Sequence, residues 1–192
     1  RPRSRASLQI SVGGSAAVLL ACMGECGGAT RCGAVTMWAK SRPGPRLSAQ
    51  LLVSPFLDAT APGQEDSGQP FWETYTPDAE QRKHPMVSPL LAPVATLRNL
   101  PSAFIVTGGR GAAREQGSAY GQMLKQADVE GAAAAEPAAE PDFRGRNSAA
   151  ASSAARAGLA FVDGAIGPVF AGGSPVPPDA KEPIYRKAHV AA

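Results

Sequence analysis

Two short runs of consecutive apolar residues, Leu51–Ser54 (LLVS) and Ala103–Thr107 (AFIVT), mark the middle of the chain. Such runs, bounded by turn residues, are typical of strands buried on both faces of a sheet. Phe71–Tyr75 predicts a short aromatic helix, and Glu115–Ala127 has the spacing of an amphipathic helix. Strands that alternate with helices favour an α/β fold, with a parallel sheet and crossover helices.

The N-terminal part has a less regular pattern. Leu8–Val12 predicts a short strand that two glycines end. Ser15–Met23 predicts a helix, which the Ser15 side chain could cap. Gly24–Gly33 is rich in glycine and should break that helix, and Ala34–Lys40 predicts a second helical piece.

The composition changes after Val129. Residues 130–160 are mostly Ala, Pro, Glu, Ser and Arg, and they offer little with which to build a core. We therefore expect a domain over residues 8–129, a disordered low-complexity segment over residues 130–160, and an irregular tail over residues 161–192.

Charge and cysteine content narrow the function classes. The net charge of +3 is too small to indicate nucleic acid as a partner. The three cysteines, Cys22, Cys26 and Cys32, lack a fourth ligand and a nearby histidine, so we expect no metal site and no cofactor. Free thiols in a reducing compartment, the cytoplasm, are the expected state.

The hydropathy pattern contains no apolar run of membrane-spanning length. Three arginines before Ser15–Met23 weakly resemble an export signal, and Cys22 then resembles a lipid-attachment site. Export or lipid anchoring through Cys22 is therefore kept as the alternative to a cytoplasmic location.

The segments around the predicted strands share their turn sequences with one enzyme family. The matching segments follow one another in order at natural spacing: Trp38–Leu47 (WAKSRPGPRL), Gln50–Thr60 (QLLVSPFLDAT), Phe71–Asp78 (FWETYTPD), Val87–Pro93 (VSPLLAP), Leu100–Thr107 (LPSAFIVT) and Gly117–Ala127 (GSAYGQMLKQA). Together they resemble the α/β-hydrolase fold-3 family, the carboxylesterases and lipases of the hormone-sensitive-lipase type. The resemblance spans Val35 to Val129 and implies an incomplete α/β-hydrolase fold.

The resemblance also implies a serine nucleophile on a tight strand-to-helix turn, in a G-x-S-x-G elbow. Ser15 is the first candidate, because Gly13 and Gly14 precede it, although Ala17 replaces the last glycine. Ser11 is the alternative, because it begins a similar S-x-G-G string. Either position leaves more chain before Trp38 than the family has, which predicts an insertion or a reading-frame error.

The remaining members of the implied catalytic triad are not found. The family segment D-P-L-R-D-E-G corresponds here to Gly109–Gly117, in which Gly111 takes the place of the catalytic aspartate. Glu115 lies one helical turn away and is a poor substitute. His84 and His189 are the two histidines of the sequence, and neither has the H-G-F context that the resemblance requires.

These departures predict a truncated and catalytically impaired ester hydrolase. If active, it would act on a small ester or acyl substrate. The alternative is a non-catalytic binding or interaction module that reuses the scaffold. An incomplete sheet should leave an exposed edge, through which we expect self-association.

Overall fold

Four strands and five helices alternate along the described part of the chain. The computed structural model describes residues 20–44, 46–62, 69–108, 111–130, 133–135 and 149–170. The strands are β1 (Leu20–Glu25), β2 (Leu47–Val53), β3 (Ser102–Val106) and β4 (Ala133–Ala135). The helices are α1 (Gly27–Lys40), α2 (Gln69–Tyr75), α3 (Val94–Leu97), α4 (Ala112–Gln126) and α5 (Ala149–Phe170), with short 3-10 turns at Gln81–Lys83 and Pro89–Leu91.

All four strands are parallel and lie in the order β1-β2-β3-β4. Leu52 in β2 pairs with Gly24 in β1 on one side and with Ile105 in β3 on the other. The two apolar runs form the central strands, as predicted. Because the strands are parallel, their carboxyl ends share one edge of the sheet, where ligand sites of such folds lie.

Helices cover both faces of this sheet. Successive side chains of a strand point to opposite faces, so Leu52 and Ile105 join the core beneath α1 and α4. Leu51 and Val106 point the other way and contact Val162 of α5. The expected α/β class, with a partial parallel sheet and crossover helices, is confirmed.

The predicted helix over Ser15–Met23 is wrong in its last four residues, since residues 20–23 belong to β1. The predicted break over Gly24–Gly33 is also wrong, because α1 begins at Gly27 and continues through Ala34–Lys40. A short run of small apolar residues does not distinguish a strand from a helix by its periodicity. Leu8–Val12 lies outside the described residues.

Helix α5 corrects the expectation of disorder and an irregular tail over residues 149–170. Alanine has the highest helix propensity, so an Ala-rich segment forms a helix readily once one face finds a partner. A Cβ atom added to Gly158 would lie 3.0 Å from the Leu51 side chain, so α5 approaches the sheet closely there. The domain boundary at residue 129 remains a prediction. No helix in the described ranges combines the length and apolar character needed to cross a bilayer.

Replacement of Leu52 by alanine should lower the free energy of unfolding by about 2–5 kcal/mol, because it leaves a cavity in the core. The Leu52 side chain is fully buried, whereas Leu91 is 39% exposed. Leu91→Ala, the matched control, should change the unfolding free energy by less than about 0.5 kcal/mol. Urea unfolding followed by circular dichroism measures both, and equal losses would contradict the proposed core.

Candidate active site

A one-residue turn at Cys26 joins β1 to α1. Its backbone angles are φ 49° and ψ −119°, an uncommon conformation for a residue other than glycine. The Cys26 N–H donates a hydrogen bond of 2.9 Å to the carbonyl of Val53, at the end of the neighbouring strand. A strained residue held between a strand and a helix is the geometry of a nucleophile elbow.

The elbow depends on close contact between β1 and α1. A Cβ atom added to Gly24 would lie 2.3 Å from the carbonyl carbon of Gly28 and 2.6 Å from the nitrogen of Ala29. These are backbone atoms, so the helix as a whole would have to move. A Cβ atom on Gly28 would meet nothing within 4 Å. Gly24 is therefore the glycine that this turn requires.

The side chain of Thr30 connects the start of α1 to the loop after β2. Its hydroxyl donates a hydrogen bond of 2.6 Å to the carbonyl of Phe56 and lies 3.3 Å from the carbonyl oxygen of Cys26. Thr30 is fully buried, which makes these contacts stronger than exposed ones. They hold the helix in the position that keeps Cys26 in its turn.

Four aromatic rings, contributed by α2 and the loop after β2, form an apolar wall beside the elbow: Phe56, Phe71, Trp72 and Tyr75. The ring centroids of Phe71 and Trp72 are 4.7 Å apart. A Cβ atom on Gly27 would lie 2.4 Å from the Phe71 ring, so this wall reaches the residue that follows Cys26. The guanidinium of Arg31 lies 4.9 Å from the Tyr75 ring centroid.

The expected acid position, Gly111, is the residue before α4 and has φ 97°. It carries no side chain, and a Cβ atom there would meet open space. Glu115 lies exposed in the first turn of the helix. Gln116 is buried, and its Oε1 accepts hydrogen bonds from the N–H groups of Leu57 and Asp58 at 2.6 and 3.0 Å. This end of α4 therefore supports the loop after β2 and presents no carboxylate at position 111.

His84 lies exposed after the first 3-10 turn, and its Nδ1 accepts a hydrogen bond of 3.1 Å from the Met86 N–H. The described contacts of its ring are thus local to its own loop. The other histidine, His189, lies outside the described residues. So do the predicted elbow residues, which are Ser11, Gly13, Gly14 and Ser15.

Comparison with known proteins agrees with this geometry. A family model described as alpha/beta hydrolase fold matches residues 14–139, which is more than half of the chain. The chain therefore belongs to the α/β-hydrolase fold-3 family. A comparison with curated proteins gives no match.

Several solved esterase structures resemble the chain. A thermostable esterase from Pseudomonas putida is 29% identical with a TM-score of 0.54, and the match covers 61% of this chain and 40% of that one. Carboxyl esterase 2 of Tuber melanosporum is 20% identical, with a TM-score of 0.65 and coverage of 76% and 54%. A Pyrobaculum calidifontis esterase is 21% identical, with a TM-score of 0.58 and coverage of 73% and 51%. The chain thus spans less than two thirds of the length of each of these esterases.

Cys26 is the candidate site residue that the sequence analysis missed. Gly24–Gly28 reads Gly-Glu-Cys-Gly-Gly, which has the G-x-S-x-G form with cysteine in place of serine. A search for that spacing with any nucleophilic residue would have found it. An elbow at Cys26 is followed directly by α1, so the stretch before Trp38 is shorter than it would be from Ser15 or Ser11.

Gly24→Ala should lower the free energy of unfolding by about 1–3 kcal/mol, because the added methyl group overlaps backbone atoms of α1. Gly28→Ala, four residues away, adds the same group into open space within a helix and should stabilise the protein by about 0.5–1 kcal/mol. The urea midpoints of the two variants test this. An unchanged urea midpoint in Gly24→Ala would refute the close contact between β1 and α1.

Proposed function

We propose that this chain descends from the carboxylic ester hydrolases and carries Cys26 in place of the serine nucleophile. The observation that supports it is the turn at Cys26, between a buried parallel strand and a helix, in a chain of the α/β-hydrolase family. Cys26 is half-buried, so its sulfur remains within reach of a small molecule. The substrate class is a small ester or activated acyl compound.

The proposed chemistry is transfer of an acyl group to the Cys26 sulfur. The Cys26 thiol loses its proton to water, the thiolate attacks the ester carbonyl carbon, and the C–O bond to the alcohol breaks. The alcohol leaves with a proton taken from water, and a thioester remains on the protein. Gly27 is the first residue of α1, so its N–H has no acceptor within the helix. This N–H could therefore donate to the developing oxyanion. Phe71 and Tyr75, the half-buried members of the aromatic wall, would contact the apolar part of the substrate.

Hydrolysis of that thioester should be impaired. In a complete triad an acid orients the histidine that activates water, and glycine at position 111 cannot do so. The hydrogen bond that His84 accepts from Met86 occupies its Nδ1, the nitrogen through which such an acid acts in the triad. We therefore propose that turnover, rather than the first attack, is the step that this chain has lost.

The second candidate is a non-catalytic module that binds an ester or acyl compound beside the aromatic wall. Gly111 favours it, because a binding site needs no carboxylate there. The two candidates differ in covalent chemistry, since a binding module would hold its ligand without a thioester at Cys26.

Incubation with p-nitrophenyl acetate should release at most a single equivalent of p-nitrophenolate per chain and leave one acetyl group on Cys26. The reason is that Cys26 can attack, but nothing at position 111 supports deacylation. Stopped-flow absorbance measures the release, and peptide mass spectrometry locates the acetyl group. Cys26→Ala should lose the acetylation, whereas Cys22→Ser, the control four residues upstream, should keep it.

Two results would contradict this proposal in different ways. Sustained turnover would refute impairment, and its loss in Ser15→Ala or Ser11→Ala would restore a serine as the nucleophile. Saturable binding of the ester without any acylation would favour the binding module instead.

A further inference from the structure

The other two cysteines lie together behind the elbow. Cys22 and Gly24 point to the same face of β1, because side chains alternate along a strand. Gly24 meets Gly28 of α1, and Cys32 follows Gly28 by about one helical turn on the same side of the helix. Cys22 therefore lies beneath Cys32, packed against the core cluster that contains it, with the two thiols in hydrogen-bonding contact.

The two thiols differ in exposure. Cys32 is 1% exposed and belongs to the main core, together with Tyr120 of α4, whereas Cys22 is only partly buried at the border of that core. The hydrogen bond from Cys32 lowers the pKa of the Cys22 thiol, and burial raises the pKa of the Cys32 thiol well above its usual value. Of these two thiols, Cys22 is therefore the one that a reagent in solution reaches first.

We propose that Cys22 and Cys32 form a reversible disulfide, which makes them a redox modification site that fastens β1 to α1 behind the elbow. This inference does not use Cys26 and goes beyond the proposed function. Cys32 does not need to reach solvent, because its reaction partner is the sulfur that it already contacts.

The oxidant that we name is a small disulfide such as glutathione disulfide. The Cys22 thiolate attacks one of its sulfurs, which forms a mixed disulfide and releases one glutathione thiolate. The Cys32 sulfur then attacks the Cys22 sulfur and releases the second glutathione. Two protein thiols are oxidised, one glutathione disulfide is reduced to two glutathione molecules, and these take up the two protons.

Cys26 is too far from Cys22 and from Cys32 to form a disulfide with either of them. Cys26 lies four positions after Cys22 at the end of β1, a distance of about 13 Å at about 3.3 Å per residue. Cys32 lies six positions after Cys26 along the start of α1, or about 9 Å at about 1.5 Å per residue. Both exceed the separation of about 7 Å between Cα atoms beyond which a disulfide requires backbone movement.

Peptide mapping of the full chain tests the pairing. The reduced protein is incubated with glutathione disulfide without denaturant, residual thiols are alkylated, and trypsin digestion follows without reductant. Cleavage after Arg31 separates peptide 6–31, which holds Cys22 and Cys26, from peptide 32–40, which holds Cys32. We expect the two peptides to be joined by a bond that dithiothreitol breaks, and the urea midpoint of the oxidised protein to rise, since a cross-link restricts the unfolded chain.

Single variants assign the bond. Cys26→Ser should keep the link and Cys22→Ser should lose it, while Cys32→Ser should accumulate the mixed disulfide of Cys22 with glutathione. The inference is overturned if the native chain yields only mixed disulfides, if the link survives in Cys22→Ser, or if it forms only after urea is added. In the unaltered chain, fragmentation of the joined peptides shows whether Cys22 or Cys26 of peptide 6–31 carries the alkyl group, so a variant that fails to fold leaves the test intact. Failure of Cys26 acylation would leave this result unchanged.

Discussion

The contact between the backbones of Gly24 and Gly28 is the constraint on which the rest of the site depends. It brings α1 so close to β1 that the chain must reverse direction within one residue, and that residue is Cys26. The cost of a positive φ at a non-glycine residue is of the order of 1–3 kcal/mol. Two hydrogen bonds offset this cost: the Cys26 N–H donates to the carbonyl of Val53, and the Thr30 hydroxyl donates to the carbonyl of Phe56.

Much of the sheet could be predicted from the sequence because its central strands are made of large apolar residues. Leu52 and Ile105 lie in uninterrupted apolar runs, and the amphipathic spacing of α4 places Tyr120 and Leu124 in the core. The strand β1 and the first half of α1 were missed for the opposite reason. They are built largely from glycine, alanine and cysteine, which carry little periodic signal, and close packing rather than hydrophobic size determines their structure.

The sequence predicted a candidate for the acid position but did not predict the candidate elbow at Cys26. Gly111 was predicted at the acid position because Arg114 and Gly117, three and six residues after it, keep the pattern of the family. The elbow was missed because the search assumed serine, although the geometric requirement applies to Gly24 and not to the nucleophile itself. An elbow needs a residue without a side chain where strand and helix meet, and it accepts either serine or cysteine at the turn.

In the proposed function, the two departures from the family pattern, Cys26 at the elbow and Gly111 at the acid position, have related consequences. A serine hydroxyl needs a base to take its proton before it attacks, whereas a cysteine is partly a thiolate near neutral pH and is intrinsically more nucleophilic. Loss of the acid should therefore impair the attack by Cys26 less than it would impair the attack by a serine. The use of cysteine does not make hydrolysis of the acyl intermediate easier, because water has to be activated whether sulfur or oxygen carries the acyl group. Under the proposed function, a scaffold with Cys26 and Gly111 would accept an acyl group readily and release it poorly.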